Sequence, residues 1–145
     1  MEAAIKSIEE AVTEAVQQTF ADMAFIDVEV DSESDFPSGQ MIHISFYEPV
    51  EGEMALMLSK ACKESVVENI YGKDWSEVDS AAVDDCLLEM INVIAGNFLN
   101  LYCGFRSKHN LSLPKLIFDL DEVHNRNEAR FFCFDAEGAP LKIVI

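Results

Sequence analysis

The sequence is poor in positive charge. Its 145 residues include 10 lysines and arginines against 27 aspartates and glutamates, which gives a formal net charge of −17. A protein that holds nucleic acid neutralises phosphates with clustered cations, whereas this chain would repel phosphate backbones and anionic lipids at long range. We therefore expect no nucleic-acid partner and no membrane partner. The excess of negative charge also favours solubility.

The chain has little of what marks disorder, secretion or membrane insertion. It contains four prolines and six glycines, and 50% of its residues are apolar, which suffices for one hydrophobic core. We find no run of about 18 uncharged apolar residues that would span a membrane. The first residues, MEAAIKSIEEAVTEA, carry a glutamate where a signal peptide has a basic start. We expect a cytoplasmic protein that folds as a single domain over residues 1–145.

The spacings of common catalytic and metal sites are missing. Four cysteines form no C-x-x-C pair, and three histidines form no H-x-x-x-H or H-E-x-x-H pattern. There is no glycine-rich phosphate loop and no recognisable Ser/His/Asp or Cys/His set. We therefore expect no metal or cofactor of the protein's own, and a small-molecule hydrolase finds little support. Isolated cysteines of this kind usually lie in the core, and in a reducing compartment they stay free of disulfides.

What the sequence does contain is a succession of helical and extended patterns. Apolar residues recur every three or four positions over residues 2–23, which predicts an amphipathic helix. A second helix is predicted from its cap Ser59 to Tyr71, and a third up to Tyr102, behind a capping box of Ser76 and Asp79. Alternating patterns predict strands over residues 25–31, 41–47, 53–58, 116–119, 129–135 and 141–145.

These elements predict an α+β fold, with three helices packed on a largely antiparallel sheet of about six strands, because short connections favour antiparallel pairing. The last strand, LKIVI, is expected to present a sheet edge and so to invite self-association. The order of elements also hints at an internal repeat, since Glu14-Ala15-Val16-Gln17 in the first helix echoes a tetrapeptide in the third.

The third predicted helix is apolar around most of its circumference and leaves one narrow polar stripe. At about 100° per residue, the stripe consists of Asp85, Glu89, Asn92, Gly96 and Asn100. Glu89 and Asn92, three residues apart, leave the same face. Gly96 costs a helix about 1 kcal/mol relative to alanine, and the close approach of another surface would explain it. On pattern alone an ordinary solvated stripe is the simpler interpretation, because Glu-x-x-Asn has little specificity.

The segment from Glu89 to Phe98 resembles the signature helix of the CheC/CheX/FliY chemotaxis phosphatases, in which a Glu is followed by an Asn three residues later and a Gly four further on. The lead-in Asp84-Asp85 and the sequence Leu111-Ser112-Leu113-Pro114 also resemble that family. Because the chain has a single strong motif of this kind, it is similar to the CheX branch, whose members have one site. The echo Glu14–Gln17 has glutamine in place of the Asn, and Ala21 in place of the Gly, which argues against a first-helix site.

The resemblance implies removal of phosphate from the aspartyl phosphate of a CheY-like response regulator. Asn92 would position the attacking water, as a glutamine does in GTPases, and Glu89 would pair with the regulator's active-site lysine. Asp85, Gly96 and Asn100 would contact the partner. The regulator would supply Mg²⁺, and the CheX branch implies a homodimer formed through its sheet. The alternative is a non-catalytic regulator-binding or adaptor module of the same fold.

Overall fold

A computed structural model describes residues 6–32, 41–104, 109–117 and 130–145. The helices are α1 (Ile8–Ala24), α2 (Lys60–Tyr71) and α3 (Ser80–Cys103), with a short 3-10 helix at Trp75–Glu77. The strands are β1 (Val28–Val30), β2 (Met41–Glu48), β3 (Gly52–Leu58), β4 (Asn110–Leu111), β5 (Lys115–Ile117), β6 (Phe131–Ala136) and β7 (Ala139–Val144). Parts of the predicted elements, at residues 2–5, 118–119 and 129, lie outside the described residues.

The strands form one sheet in the order β1-β6-β7-β3-β2-β4, and β5 also pairs with β2. The pairs in this sheet are antiparallel. The predicted fold class, three helices on a largely antiparallel sheet, is thereby confirmed, and the described residues form seven strands where about six were expected. The extra strand arises because the chain pairs twice with β2, once through β4 and once through β5.

The strand order is symmetrical about the central pair of β3 and β7. Each of these strands belongs to a hairpin, β2–β3 or β6–β7, and each hairpin is flanked on its outer side by a short strand. One half of the fold begins with α1 and the other with α3. This arrangement matches the internal repeat suggested by the order of elements in the sequence.

The prediction that the C-terminal strand forms an edge of the sheet is wrong. Strand β7 lies between β6 and β3, so that Leu141 pairs with Phe134 on one side and with Leu58 on the other. The strand is buried on both faces, since Ile143 lies in the main core and Val144 in a second cluster. A strand with apolar cover on both faces is stable in the middle of a sheet rather than at its edge.

Helices α1 and α3 pack together on one face of the sheet and form the main core. The side chains at its centre are fully buried, and each one contributes about 1.5–3 kcal/mol by leaving water. Asn97 of α3 donates a hydrogen bond from Nδ2 to Oγ1 of the buried Thr19 of α1, at 3.1 Å. These contacts fix the rotation of α3 about its own axis. Central core residues are Val16, Phe20, Ile44, Leu56, Met90, Ile94 and Phe98.

The helix ends follow the predicted caps in α2 but not in α3. Ser59 Oγ accepts a hydrogen bond from the backbone N–H of Cys62, and Gly72 closes α2 with φ 63°. For α3 the cap is Asp79, whose side chain accepts from the N–H of Ala82 at 2.8 Å. The predicted capping box at Ser76 is wrong, because Ser76 lies in the 3-10 helix that precedes α3.

By length and composition alone, α3 is apolar enough to cross a membrane, which the sequence analysis did not allow for. The helix nevertheless serves as a core helix in this fold. Met90, Ile91 and Ile94 are fully buried among α1 and the sheet. Its apolar character is therefore explained by packing within the domain.

Candidate functional site

A groove of about 510 Å³ runs between α3 and the connection from β4 to β5. The helix contributes Asp85, Leu88, Glu89 and Asn92 to one wall, and residues 111–114 form the other. The two walls are separated by about 20 residues of sequence and meet because β4 and β5 both pair with β2. The groove thus brings together the predicted catalytic pair and one of the predicted partner-contacting residues.

The packing of α3 turns the carboxylate and the carboxamide outward. Met90 and Ile91, which lie between them in sequence, are fully buried, whereas Glu89 is exposed and Asn92 is half-buried. Side chains three residues apart on a helix are neighbours on its surface. The predicted stripe is therefore real at this point, and the pair faces a space that a second molecule can enter.

Neither side chain of the pair is engaged within the described parts of the chain. No described residue forms a hydrogen bond or an ion pair with the carboxylate of Glu89 or the carboxamide of Asn92. Asn92 retains one acceptor oxygen and two N–H donors. The arrangement can therefore bind a water and a cationic group supplied from outside.

The opposite wall is held rigidly to the sheet. The N–H of Ser112 donates to the carbonyl of Ser45 at 2.8 Å, and the N–H of Ser45 donates to Oγ of Ser112 at 2.9 Å. Ser112 Oγ in turn donates to the carbonyl of Leu113 at 3.2 Å. In the sequence this segment is marked only by the family resemblance, and no local signal indicates that it forms a wall of the site.

Gly96 and Asn100 continue the same stripe but do not line the groove. Both are half-buried, and a Cβ built on Gly96 would meet nothing within 4 Å. The space above the helix is therefore open at this residue. The structure brings Asp85 together with the pair and leaves Gly96 and Asn100 one to two turns further along α3.

Helix α1 presents the echoed residues to a groove of its own against β1, but there both side chains are engaged. Glu14 pairs with Nζ of Lys6 at 3.1 Å, and Gln17 Nε2 donates to the carbonyl of Val28 at 3.1 Å. Ala21 is exposed in the position that Gly96 has on α3. Helices α1 and α3 therefore differ chiefly in that the carboxylate and the carboxamide of α3 are available to bind another molecule.

Two buried cysteines, Cys62 on α2 and Cys86 on α3, are not among the residues that line the groove. Burial raises the pKa of Cys86, next to Asp85, to about 11, and that of Cys62 to about 12, so both stay protonated near neutral pH. Among the residues that the structure describes, the groove has two carboxylates, and no group of three potential metal ligands is found. These described lining residues can form hydrogen bonds and charge pairs with a bound molecule.

Comparison with known proteins identifies the family. The sequence profile of the family described as chemotaxis phosphatase CheX matches residues 41–137, which is more than half of the chain. No curated protein sequence matches significantly.

Several solved structures have the same fold. CheX from Vibrio vulnificus superposes with a TM-score of 0.75 at 12% identity and covers 99% of this chain and 97% of its own. The structure of a CheX-CheY-BeF3-Mg²⁺ complex from Borrelia burgdorferi gives 0.68 at 15% identity, with 95% and 96% covered. FliY from Thermotoga maritima gives 0.60 at 19%, with 95% and 87% covered. These likenesses establish the fold, and the match of the family profile shows that this chain belongs to the chemotaxis phosphatase CheX family.

Proposed function

We propose that this protein hydrolyses the aspartyl phosphate of a CheY-like response regulator, with Asn92 positioning the attacking water and Glu89 anchoring the regulator. The observation that carries this proposal is the unengaged carboxylate–carboxamide pair in an open groove on α3. Membership of the CheX family supports it. So does the likeness to a CheX protein whose structure was solved together with CheY, BeF3 and Mg²⁺.

The proposed chemistry asks little covalent work of the protein. An acyl phosphate is already reactive, and phosphoryl transfer depends mainly on positioning and on charge stabilisation. The Asn92 carboxamide accepts a hydrogen bond from the water and aligns its oxygen with the phosphorus. As the water oxygen bonds to phosphorus, the bond from phosphorus to the aspartyl oxygen breaks. The products are the free aspartate carboxylate and inorganic phosphate, which carries the proton released by the water.

Glu89 has a different part in the proposal. Its exposed carboxylate would accept a charge-assisted hydrogen bond from the lysine ammonium in the regulator's active site. Asp85, at the same groove, and Gly96 and Asn100, further along the stripe, would contact the regulator around this ion pair. We assign Mg²⁺, which would neutralise phosphoryl charge, to the regulator, and the likeness to a CheX protein whose complex with CheY contains BeF3 and Mg²⁺ supports this assignment.

Replacing Asn92 with alanine tests the catalytic proposal. We expect the catalysed release of phosphate from a phosphorylated CheY-type regulator to fall by about 100-fold or more, as when one positioning hydrogen bond is removed from an active site. The measurement is the decay of the phosphorylated regulator at substoichiometric phosphatase. Gln17→Ala is the matched control, since it removes a carboxamide from the corresponding place on α1 and should keep the rate.

Wild-type turnover by the Asn92→Ala protein would contradict the assignment. The same assay separates the enzyme from a non-catalytic adaptor of the same fold. An enzyme clears an excess of phosphorylated regulator, whereas an adaptor protects only an equivalent amount of it from decay.

We also propose that the protein acts as a homodimer in the cytoplasm. The four cysteines are free, as is typical of a reducing compartment. In the described sheet an edge is offered by β1, where Val30 is 61% exposed, rather than by β7. Light scattering should give twice the monomer mass of 16.2 kDa. A monomer at micromolar concentration would contradict the dimer.

A further inference from the structure

Leu113 is the most exposed large apolar side chain in the described parts of the chain, at 89% of its full accessibility. It lies on the wall of the groove that faces Glu89 and Asn92. Isolated exposed leucines are common on protein surfaces and need no explanation. This one borders the open pair, so any molecule that reaches the pair also meets it.

The backbone that carries this side chain is held in place by its neighbours. Ser112 is fixed to β2 through both its backbone and its hydroxyl, and Pro114 restricts the backbone on the other side. Leu111 and Leu116, which flank the segment, pack against the main core. Leu113 is thus presented on a preorganised support, so a partner that covers it loses little conformational entropy from this segment.

The charge of the groove indicates why such a contact is needed. Among the described residues that line it, the ionisable ones are the acids Asp85 and Glu89, and the whole chain carries −17. A phosphorylated protein brings further negative charge to this surface, so long-range electrostatics do not favour the encounter. Apolar burial is independent of the sign of charge and can supply the missing attraction.

We propose that Leu113 is an anchor for the partner, inserting into an apolar recess beside the phosphorylated aspartate of the response regulator. The proposal rests on the function proposed above and adds a contact that is not part of the catalytic pair. The groove would then bind the regulator through two kinds of contact, an apolar anchor at Leu113 and an ion pair at Glu89. An aliphatic anchor seated in a pocket and surrounded by satisfied polar contacts is a common arrangement at the centre of a binding interface.

The test is a comparison of Leu113→Ala and Leu113→Asp with the wild type. The probe is a CheY-type regulator loaded with beryllofluoride and Mg²⁺, whose dissociation constant is measured by calorimetry. We expect about a tenfold increase in Kd for the alanine variant, as is usual for an anchor residue, and a larger increase for the aspartate variant. The KM for the phosphorylated regulator should rise in parallel, with a much smaller change in kcat.

Phe25→Ala is the matched control, because Phe25 is also strongly exposed, at 76%, but lies at the end of α1 and does not line the groove. Its Kd should equal that of the wild type. Thermal unfolding of each variant by circular dichroism should stay unchanged, since neither side chain is buried.

Wild-type Kd values for both Leu113 variants, or an equal loss in Phe25→Ala, would overturn the anchor. Asn92→Ala, assayed beside them, separates this failure from that of the proposed function: it should lose kcat while keeping its Kd. Full activity of Asn92→Ala together with weak binding by the Leu113 variants would overturn the catalytic assignment and support the anchor. Failure of the wild type to bind the loaded regulator would overturn both.

Discussion

At the scale of single residues, Gly96 lowers the stability of α3 and leaves the space above the helix open. A Cβ at this position meets open space, so Gly96→Ala should raise the free energy of unfolding by about 1 kcal/mol through helix propensity. Gly72→Ala is the contrasting control, because its φ of 63° strains any other residue and should lower stability. Urea unfolding measures both changes. A destabilised Gly96→Ala protein would show that the space is not open.

Glu89 gives a second prediction at this scale. Glu89→Ala should raise the Kd for a beryllofluoride-loaded CheY-type regulator by roughly tenfold, the order expected for the loss of a hydrogen bond to a charged group. Glu14→Ala serves as the control, because that carboxylate lies on α1, is paired with Lys6 and should not contribute. Unchanged affinity of Glu89→Ala in calorimetry would remove this residue from the interface.

The helical period of the sequence was enough to predict that Glu89 and Asn92 point outward together, since their direction depends only on their own helix. It could not predict the facing wall. Leu113 reaches the groove through the pairing of its segment with β2, in which Ser112 bonds to Ser45, 67 residues away in the chain. Contacts over such separations leave no periodic signal in the local sequence.

At the scale of secondary-structure elements, the start of α3 offers a test of its observed cap. Asp79→Ala should lower the free energy of unfolding by about 1 kcal/mol, because its carboxylate accepts the N–H of Ala82. Ser76→Ala is the matched control, since the hydroxyl of Ser76 bonds only to the exposed Asp74 among described contacts. If chemical denaturation gave the same loss of unfolding free energy for both variants, the capping box predicted from the sequence would be supported instead.

Strands β1 and β7 show what the sequence patterns could not predict about individual elements, namely where a strand begins and which strands it pairs with. Residues 25–31 alternate as a strand should, yet Phe25 adopts a left-handed φ of 56° to close α1, and β1 keeps only Val28–Val30. The strand pattern of residues 141–145 was predicted well, but its place in the sheet was not. Alternation defines the faces of a strand, whereas its neighbours depend on the fold as a whole.

At the scale of the whole molecule, the net charge predicts an unusual dependence on salt. In the proposed encounter, the acidic chain and the negatively charged phosphoryl group of the regulator repel each other, and salt screens this repulsion. We expect the association rate, measured by stopped-flow fluorescence, to increase as sodium chloride is raised from about 0.05 to 0.3 M. A pronounced decrease would show that complementary charges steer the encounter.

The central position of β7 has a consequence for how the chain is made. A ribosome releases β2 and β3 long before residues 139–144, yet β3 finds its second neighbour only in that late segment. Until then, the two hairpins cannot join, and the nascent polypeptide exposes one flank of β3. An unpaired strand flank of this kind is a template for pairing with another chain, so the late synthesis of β7 lengthens the time during which β3 is open to such contacts.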